Sequence, residues 1–245
     1  MNQAFILCGG KGSRLYPYTV VMPKPMLPIG SMPIVEIISR QLSYYGFDDV
    51  VISLGHNAHI IRHFLEGISG NPGLPKYRFV EEKEPLGTAG PVGLLNEAPD
   101  NFLVMNGDIL TNVALDEFFK FHLEKQATLS ICIRSTNYTL PFGSVEVDSN
   151  NNVTRFIEKP KIDLLDNIGI YGYSKKALAY IKPNTQLYVN DLVQQLVEAG
   201  EKVCAYLDTS PYYWIDIGSH ADYDKANFDL HNIISEFPYL KDYKS

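Results

Sequence analysis

Hydrophobic positions follow two alternating rhythms through the first half of the chain. Residues 4–8 form a continuous apolar run, the pattern of a strand buried on both faces of a parallel sheet, residues 102–105 are another buried-type strand, and 50–54 and 77–80 read as two further strands. Between them the apolar positions recur every three or four residues. Ile34, Ile37, Ile38, Leu42 and Tyr45 do so after Pro33, a favourable first helical residue, and residues 57–65 and 116–125 follow suit. A short helix is expected through Leu94 and Leu95. Beyond residue 127 strands dominate, at 128–134, 143–147, 153–158 and 168–173, with Asn150-Asn151-Asn152 as a turn between two of them. A helix within 183–200 carries Leu192, Val193, Leu196 and Val197; a strand at 202–207 and a helix at 221–230 close the pattern. Strand and helix in alternation predict an α/β fold, a Rossmann-like doubly wound mixed sheet. Residues 1–230 form the expected domain. The tail 231–245, with Ile233, Ile234, Phe237, Tyr239 and Tyr243, packs on the body or on a second subunit of a homo-oligomer.

A chain of 245 residues with 45% hydrophobic content can bury a full core in one domain. Its net charge of −7 argues against a nucleic-acid partner, which would want a basic face. Negative ligands must then be held by a local cluster of cations. No apolar stretch approaches the roughly 20 residues that span a bilayer, and the N-terminal run is too short for a signal peptide, so no membrane partner is expected and the protein reads as cytoplasmic. Cys8, Cys132 and Cys204 are widely spaced in apolar runs and read as reduced core thiols. His59 and His63 lie one helical turn apart, but with no third ligand nearby they read as a solvated face.

The chemistry begins where the first strand breaks. Gly9, Gly10 and Gly12 follow it at once and let backbone N–H groups approach a ligand. Lys11, Arg14 and Lys24 add cations, Arg14 with a planar fork and Lys24 with a compact ammonium. This suggests a nucleoside triphosphate site. A dinucleotide fingerprint would need a third glycine where Leu15 stands, and a Walker A loop would need Gly-Lys-Ser/Thr, whereas Lys11 precedes Gly12 and Ser13. Downstream, Pro85-Leu86-Gly87-Thr88 offers a glycine that lets the backbone lie against a flat base edge, and a hydroxyl beside it. Asp108 ends the run 102–105 after Asn106-Gly107, where open α/β sheets bind ligands.

These residues carry a resemblance. Leu7-Cys8-Gly9-Gly10-Lys11-Gly12-Ser13-Arg14-Leu15, then Pro17, Thr19 and Pro23-Lys24-Pro25-Met26, resemble the signature of the sugar-phosphate nucleotidyltransferases, or NDP-sugar pyrophosphorylases. Residues 82–91 are similar to the E-x-P-L-G-T-A-G segment of the guanylyltransferase branch, and Trp214-Ile215-Asp216-Ile217-Gly218 to the family's W-x-D-I-G. Cys8 and Ser13 stand where alanine and threonine are commoner. The resemblance implies a glycosyltransferase-A-like fold, here without the hexapeptide repeats of an appended left-handed β-helix. It implies Leu7, Gly9, Gly10, Gly12, Ser13, Pro85, Gly87 and Thr88 on the nucleotide, and Arg14, Lys24 and Asp108 as catalytic groups. Asp108 and Asp216 would hold Mg²⁺; Gly143, Glu158, Lys159 and Asn167 would hold the sugar phosphate, in a pocket where Ile168 replaces the usual alanine. Residues 1–125 would serve the nucleotide and 126–230 the acceptor.

The expected reaction joins an NTP, best read as GTP, to a sugar 1-phosphate, best read as mannose or manno-heptose 1-phosphate, with release of pyrophosphate. UTP, dTTP or CTP with glucose, amino-sugar or muramic 1-phosphate would use the same phosphate machinery. Two readings from other classes are a non-catalytic nucleotide-sugar-binding regulator and an NAD-dependent oxidoreductase. Retention of both aspartates and all three cations opposes the first, and the failed fingerprint the second.

Overall fold

The structure, a computed structural model, describes residues 2–233 and 236–240. Its strands are β1 (Gln3–Cys8), β2 (Pro28–Ile29), β3 (Met32–Pro33), β4 (Asp49–Leu54), β5 (Lys76–Glu81), β6 (Asn101–Asn106), β7 (Ile109–Thr111), β8 (Leu129–Thr139), β9 (Ser144–Val147), β10 (Val153–Ile157), β11 (Lys161–Ser174), β12 (Val203–Leu207) and β13 (Trp214–Asp216). Helices are α1 (Tyr18–Val21), α2 (Ile34–Tyr44), α3 (Ala58–Ile68), α4 (Leu115–Lys125), α5 (Val189–Glu198) and α6 (His220–Ile233). Seven strands form one sheet in the order β12-β8-β11-β6-β1-β4-β5. β11 runs antiparallel to both its neighbours, β6 and β8, and the other pairings are parallel. The expected mixed α/β sheet is therefore present.

The apolar runs of β1, β4 and β6 form the buried centre because they have no solvated face: Ala4, Phe5 and Ile6 of β1 and Phe102 to Met105 of β6 are fully enclosed, whereas β5 is an edge strand with exposed positions. One apolar layer packs Ile34, Ile37, Ile38 and Leu42 of α2 with Phe118 of α4; the other packs Leu192 and Leu196 of α5 with Phe5, Val51 and Tyr173. Chain order reverses between β1 and β6. On one side the chain proceeds outward from β1 to β4 and β5, and on the other it resumes at β6. Loops leaving the carboxyl ends of β1 and β6 thus diverge and leave a crevice.

Several expectations are corrected. Pro33 precedes α2 in an extended conformation rather than opening it. The helix through Leu94 and Leu95 is a 3₁₀ turn, Gly90–Leu94. The helix within 183–200 begins only at Val189, because Leu187 is held extended against the loop 86–90: Ala89 and Gly90 N–H donate to Leu187 O at 2.9 and 3.0 Å, and Leu187 N–H donates to Leu86 O at 2.9 Å. The strand expected at 168–173 is the end of the 14-residue β11, whose first half pairs only with β8. His59 and His63 are exposed as expected, and Cys8 and Cys132 are buried with free thiols. Of the tail, Phe237 and Leu240 join the core, and Tyr239 Oη donates to Thr111 O at 2.5 Å; Ile234 and Tyr243 lie outside the described residues.

His122 of α4 is wholly buried, with Nδ1 2.8 Å from Ser130 Oγ and Nε2 3.2 Å from Asn101 Oδ1. Burial lowers its pKa to about 4. The unfolded chain, with histidine near its ordinary value, binds the extra proton first as pH falls. Its stabilising contribution is therefore full above about pH 6.5 and is lost toward pH 4, at about 1.4 kcal/mol per pH unit. Urea midpoints measured over that window should fall more steeply for the parent chain than for His122→Gln.

Candidate active site

The crevice between the ends of β1 and β6 is a cavity of about 380 Å³, within the usual range for small-molecule sites. Its walls include all eight nucleotide candidates: Leu7, Gly9, Gly10, Gly12 and Ser13 from the first stretch, and Pro85, Gly87 and Thr88 from the second. Arg14, Lys24 and Asp108 line it as well. Two segments more than seventy residues apart meet here because β1 and β5 run parallel in one sheet with only β4 between them.

The chain from β1 turns through Gly12 into the 3₁₀ segment Ser13–Leu15. Thr19 Oγ1 donates to Gly12 O at 2.9 Å and ties α1 back to this turn. Leu15, fully buried, anchors the turn in the core while Arg14 beside it stays exposed. The Arg14 guanidinium lies against the backbone of Gly218, where a methyl group would sit 3.3 Å from Nη1. So the early arginine faces the end of β13.

Asp108 and Asp216 are brought together by the β7–β13 pair, in which Asp216 stands opposite Ile109, and by Ile217 N–H donating to Asp108 O at 3.0 Å. Their link is Lys24. Its ammonium is buried and lies 2.5 Å from Asp108 Oδ2 and 3.5 Å from Asp216 Oδ1. It was expected on the triphosphate; here it stands between the two acids. Burial, and then the neighbouring Asp108 charge, raise the Asp216 pKa, with Lys24 and Arg14 acting against them. The Oδ1 atoms of both aspartates are buried without a hydrogen-bond partner.

The loop after β5 is braced from below. Glu82 accepts hydrogen bonds from Ser53 Oγ and, at 3.1 Å, from Leu86 N–H. Gly87 has φ +78°, and a Cβ there would meet Leu187 O at 2.6 Å, so both conformation and space demand glycine. Thr88 Oγ1 accepts from Val189 N–H at 2.9 Å at the start of α5. The hydroxyl expected to serve a base therefore also joins this loop to a helix. Sequence reasoning gave no role to Glu82 or Tyr188, both in the cavity wall. Glu82 was visible as the first residue of the motif, whereas Tyr188 was hidden by the mistaken helix.

None of the four acceptor candidates is in the wall of this cavity. Gly143 and Glu158 meet across the β9–β10 hairpin, where a Cβ on Gly143 would lie 3.2 Å from Glu158 Oε2. Lys159 follows, exposed, with φ +45°. Among the described residues no acid pairs with it. Asn167 on β11 donates through Nδ2 to Tyr171 Oη at 2.7 Å and accepts from Gly169 N–H at 2.9 Å.

The nucleotidyl transferase family model matches residues 3–233. The chain is 31% identical over 232 residues to a probable mannose-1-phosphate guanylyltransferase 2 of Arabidopsis thaliana, covering 90% of this chain and 63% of that protein. It is also 31% identical over 243 residues to a UTP–glucose-1-phosphate uridylyltransferase of Synechocystis sp., covering 91% and 62%. The chain thus spans less than two thirds of these relatives' length. Among solved structures, HddC from Yersinia pseudotuberculosis superposes with a TM-score of 0.71 at 28% identity, over 94% of this chain and 100% of that one. With the family model covering nearly the whole sequence, and a crevice at the strand-order reversal, the chain belongs to the nucleotidyl transferase family.

Proposed function

We propose that the chain is a sugar-1-phosphate nucleotidyltransferase. A sugar 1-phosphate oxygen attacks the α-phosphorus of an NTP; the new P–O bond forms as the bond to the β-phosphate oxygen breaks, and pyrophosphate leaves. The observation that carries this is the convergence of Asp108, Asp216 and Lys24, with Arg14 against Gly218, where Arg14, Lys24 and Asp108 line a glycine-rich cavity and Asp216 meets it through Lys24. No general base is required, because a phosphate monoester with a second pKa of about 6 is already mostly dianionic at neutral pH. The barrier is repulsion between anions. Arg14 and the N–H groups of the glycine turn receive the triphosphate, Lys159 receives the acceptor phosphate, and the walls fix their approach. In this reading residues 1–125 serve the nucleotide and 126–230 the acceptor, and the chain works in the cytoplasm.

The two carboxylates fit Mg²⁺. Each has a buried oxygen without a hydrogen-bond partner, that of Asp216 facing the Lys24 ammonium at 3.5 Å, and this ion characteristically takes one or two protein carboxylates and completes its shell with phosphate oxygens and water. When bound it would neutralise charge on the reacting phosphates. Among the described residues no group of three or more His, Cys, Asp or Glu side chains forms a fuller metal cage.

GTP with mannose or manno-heptose 1-phosphate is the preferred pair, supported by the residues 82–91 segment and by the guanylyltransferase name of the Arabidopsis relative. The uridylyltransferase name of the Synechocystis relative supports UTP with glucose 1-phosphate as a second reading. Pyrophosphate release from a matrix of GTP, UTP, dTTP and CTP against mannose, manno-heptose, glucose and amino-sugar 1-phosphates decides between them. The preferred reading expects the highest kcat/KM with GTP and a manno-configured acceptor. No pyrophosphate from any combination would overturn the reaction itself.

A further inference from the structure

We propose that His220, the first residue of α6, is a positioning residue that holds the Arg14 turn against the end of β13 and so sets how well the triphosphate is received. The inference rests on the nucleotidyltransferase reading above and deepens it. Between Lys11 and Met22 only Leu15 and Thr19 are buried, and the Thr19 hydroxyl is spent inside the segment, on Gly12 O. A stretch with so few buried groups draws little stability from packing. Its placement beside Asp216 then depends on ties to the rest of the chain.

Those ties run in step along two facing stretches. Arg14 lies against Gly218, and two residues further along both stretches His220 Nε2 donates to Tyr16 O at 2.7 Å. A carbonyl only accepts, so the imidazole carries a proton on Nε2. The Tyr18 ring meets the same imidazole in a T-shaped contact at 5.3 Å and leans on Tyr223 at 5.9 Å. Further along α6, Tyr223 Oη donates to Pro28 O at 2.7 Å, and Asn227 Oδ1 accepts from Gly30 N–H at 2.9 Å. One helix thus grips the segment on both sides of Lys24, and it continues the stretch that carries Asp216. Of these ties, that of His220 lies nearest Arg14. His220 is exposed and lines no part of the cavity, so it acts through the arginine rather than on a ligand. A guanidinium fork is demanding in angle as well as distance, and a misplacement of about 1 Å can cost as much as a hundredfold in rate.

His220→Leu keeps apolar cover for Tyr18 and removes the N–H, whereas His220→Gln keeps a donor of similar reach. Steady-state kinetics are measured for both and for the parent chain, with the NTP and sugar 1-phosphate that the parent prefers. His220→Leu should lower kcat/KM for the NTP roughly tenfold, the scale of one lost hydrogen bond. Its KM for the sugar 1-phosphate should stay within about twofold, and His220→Gln should return to within about threefold of the parent on the NTP. A merely structural role would weaken both substrates together and would not follow the donor. An unchanged His220→Leu, equal losses on the two substrates, or a His220→Gln as impaired as His220→Leu overturns the proposal. Should His220→Leu not fold, His220→Ser at the same exposed position is read in its place. If the parent releases no pyrophosphate with any pair, the nucleotidyltransferase reading falls and this proposal with it; an active parent with an unchanged variant sinks His220 alone.

Discussion

Asp108→Asn is expected to lower turnover by about a hundredfold or more while the chain still folds, with an unfolding midpoint lowered less than by Lys24→Met. The substitution keeps the shape of the side chain, and the backbone link from Ile217 N–H to Asp108 O is untouched. Lys24 keeps Asp216 as an ionic neighbour at 3.5 Å. The negative charge beside Lys24 is lost, and with it a carboxylate oxygen that has no partner within the protein. If catalysis is the management of phosphate charge, this charge weighs more in the transition state than in the folded chain alone. Pyrophosphate release at saturating NTP and Mg²⁺, with a circular dichroism melt beside it, separates the two effects. A variant that retained full magnesium-dependent activity would remove Asp108 from the mechanism.

Asp216→Asn provides a graded comparison. Its side chain is 46% exposed against 29% for Asp108, so water screens it more and the loss of its charge should cost less. What makes the pair act together is the β7–β13 ladder and not proximity in the chain.

That ladder marks where the sequence stops being readable. β1, β4 and β6 were legible because a strand buried on both faces must be apolar at nearly every position, and turn-forming glycines close β1 and β6; β5, an edge strand with exposed positions, showed only as a short apolar run. The first half of β11 was not. From Lys161 to Asn167 it is exposed along nearly its whole length, so no alternation records it, and only its pairing with β8 makes it a strand. Tyr188 was missed for a related reason: the chain before α5 is held by loop 86–90 through backbone bonds, which are blind to side-chain type. Among the site residues, the glycine turn and the Pro85 to Thr88 loop could be read locally. That Lys24 would stand between Asp108 and Asp216 could not, since the ion pair with Asp108 spans 84 positions and depends on β7 meeting β13.

Lys24→Met tests that placement directly. Methionine fills similar space and removes the one ammonium that, among the described residues, stands between the two carboxylates. Breaking a fully buried ion pair costs about 3–5 kcal/mol. Both acids here retain contact with solvent, so a smaller loss of roughly 1–3 kcal/mol is expected in metal-free buffer, together with a large fall in turnover. Two aspartates facing one another without a cation should also respond more strongly to one supplied from solution. The unfolding midpoint of Lys24→Met should therefore rise further on replacing EDTA with millimolar Mg²⁺ than that of the parent, as preferential binding to the folded state requires. Equal midpoints for variant and parent in EDTA would mean that the ammonium does not hold the acids together. Arg14 and Lys159 would then have to supply the positive charge of the site by themselves.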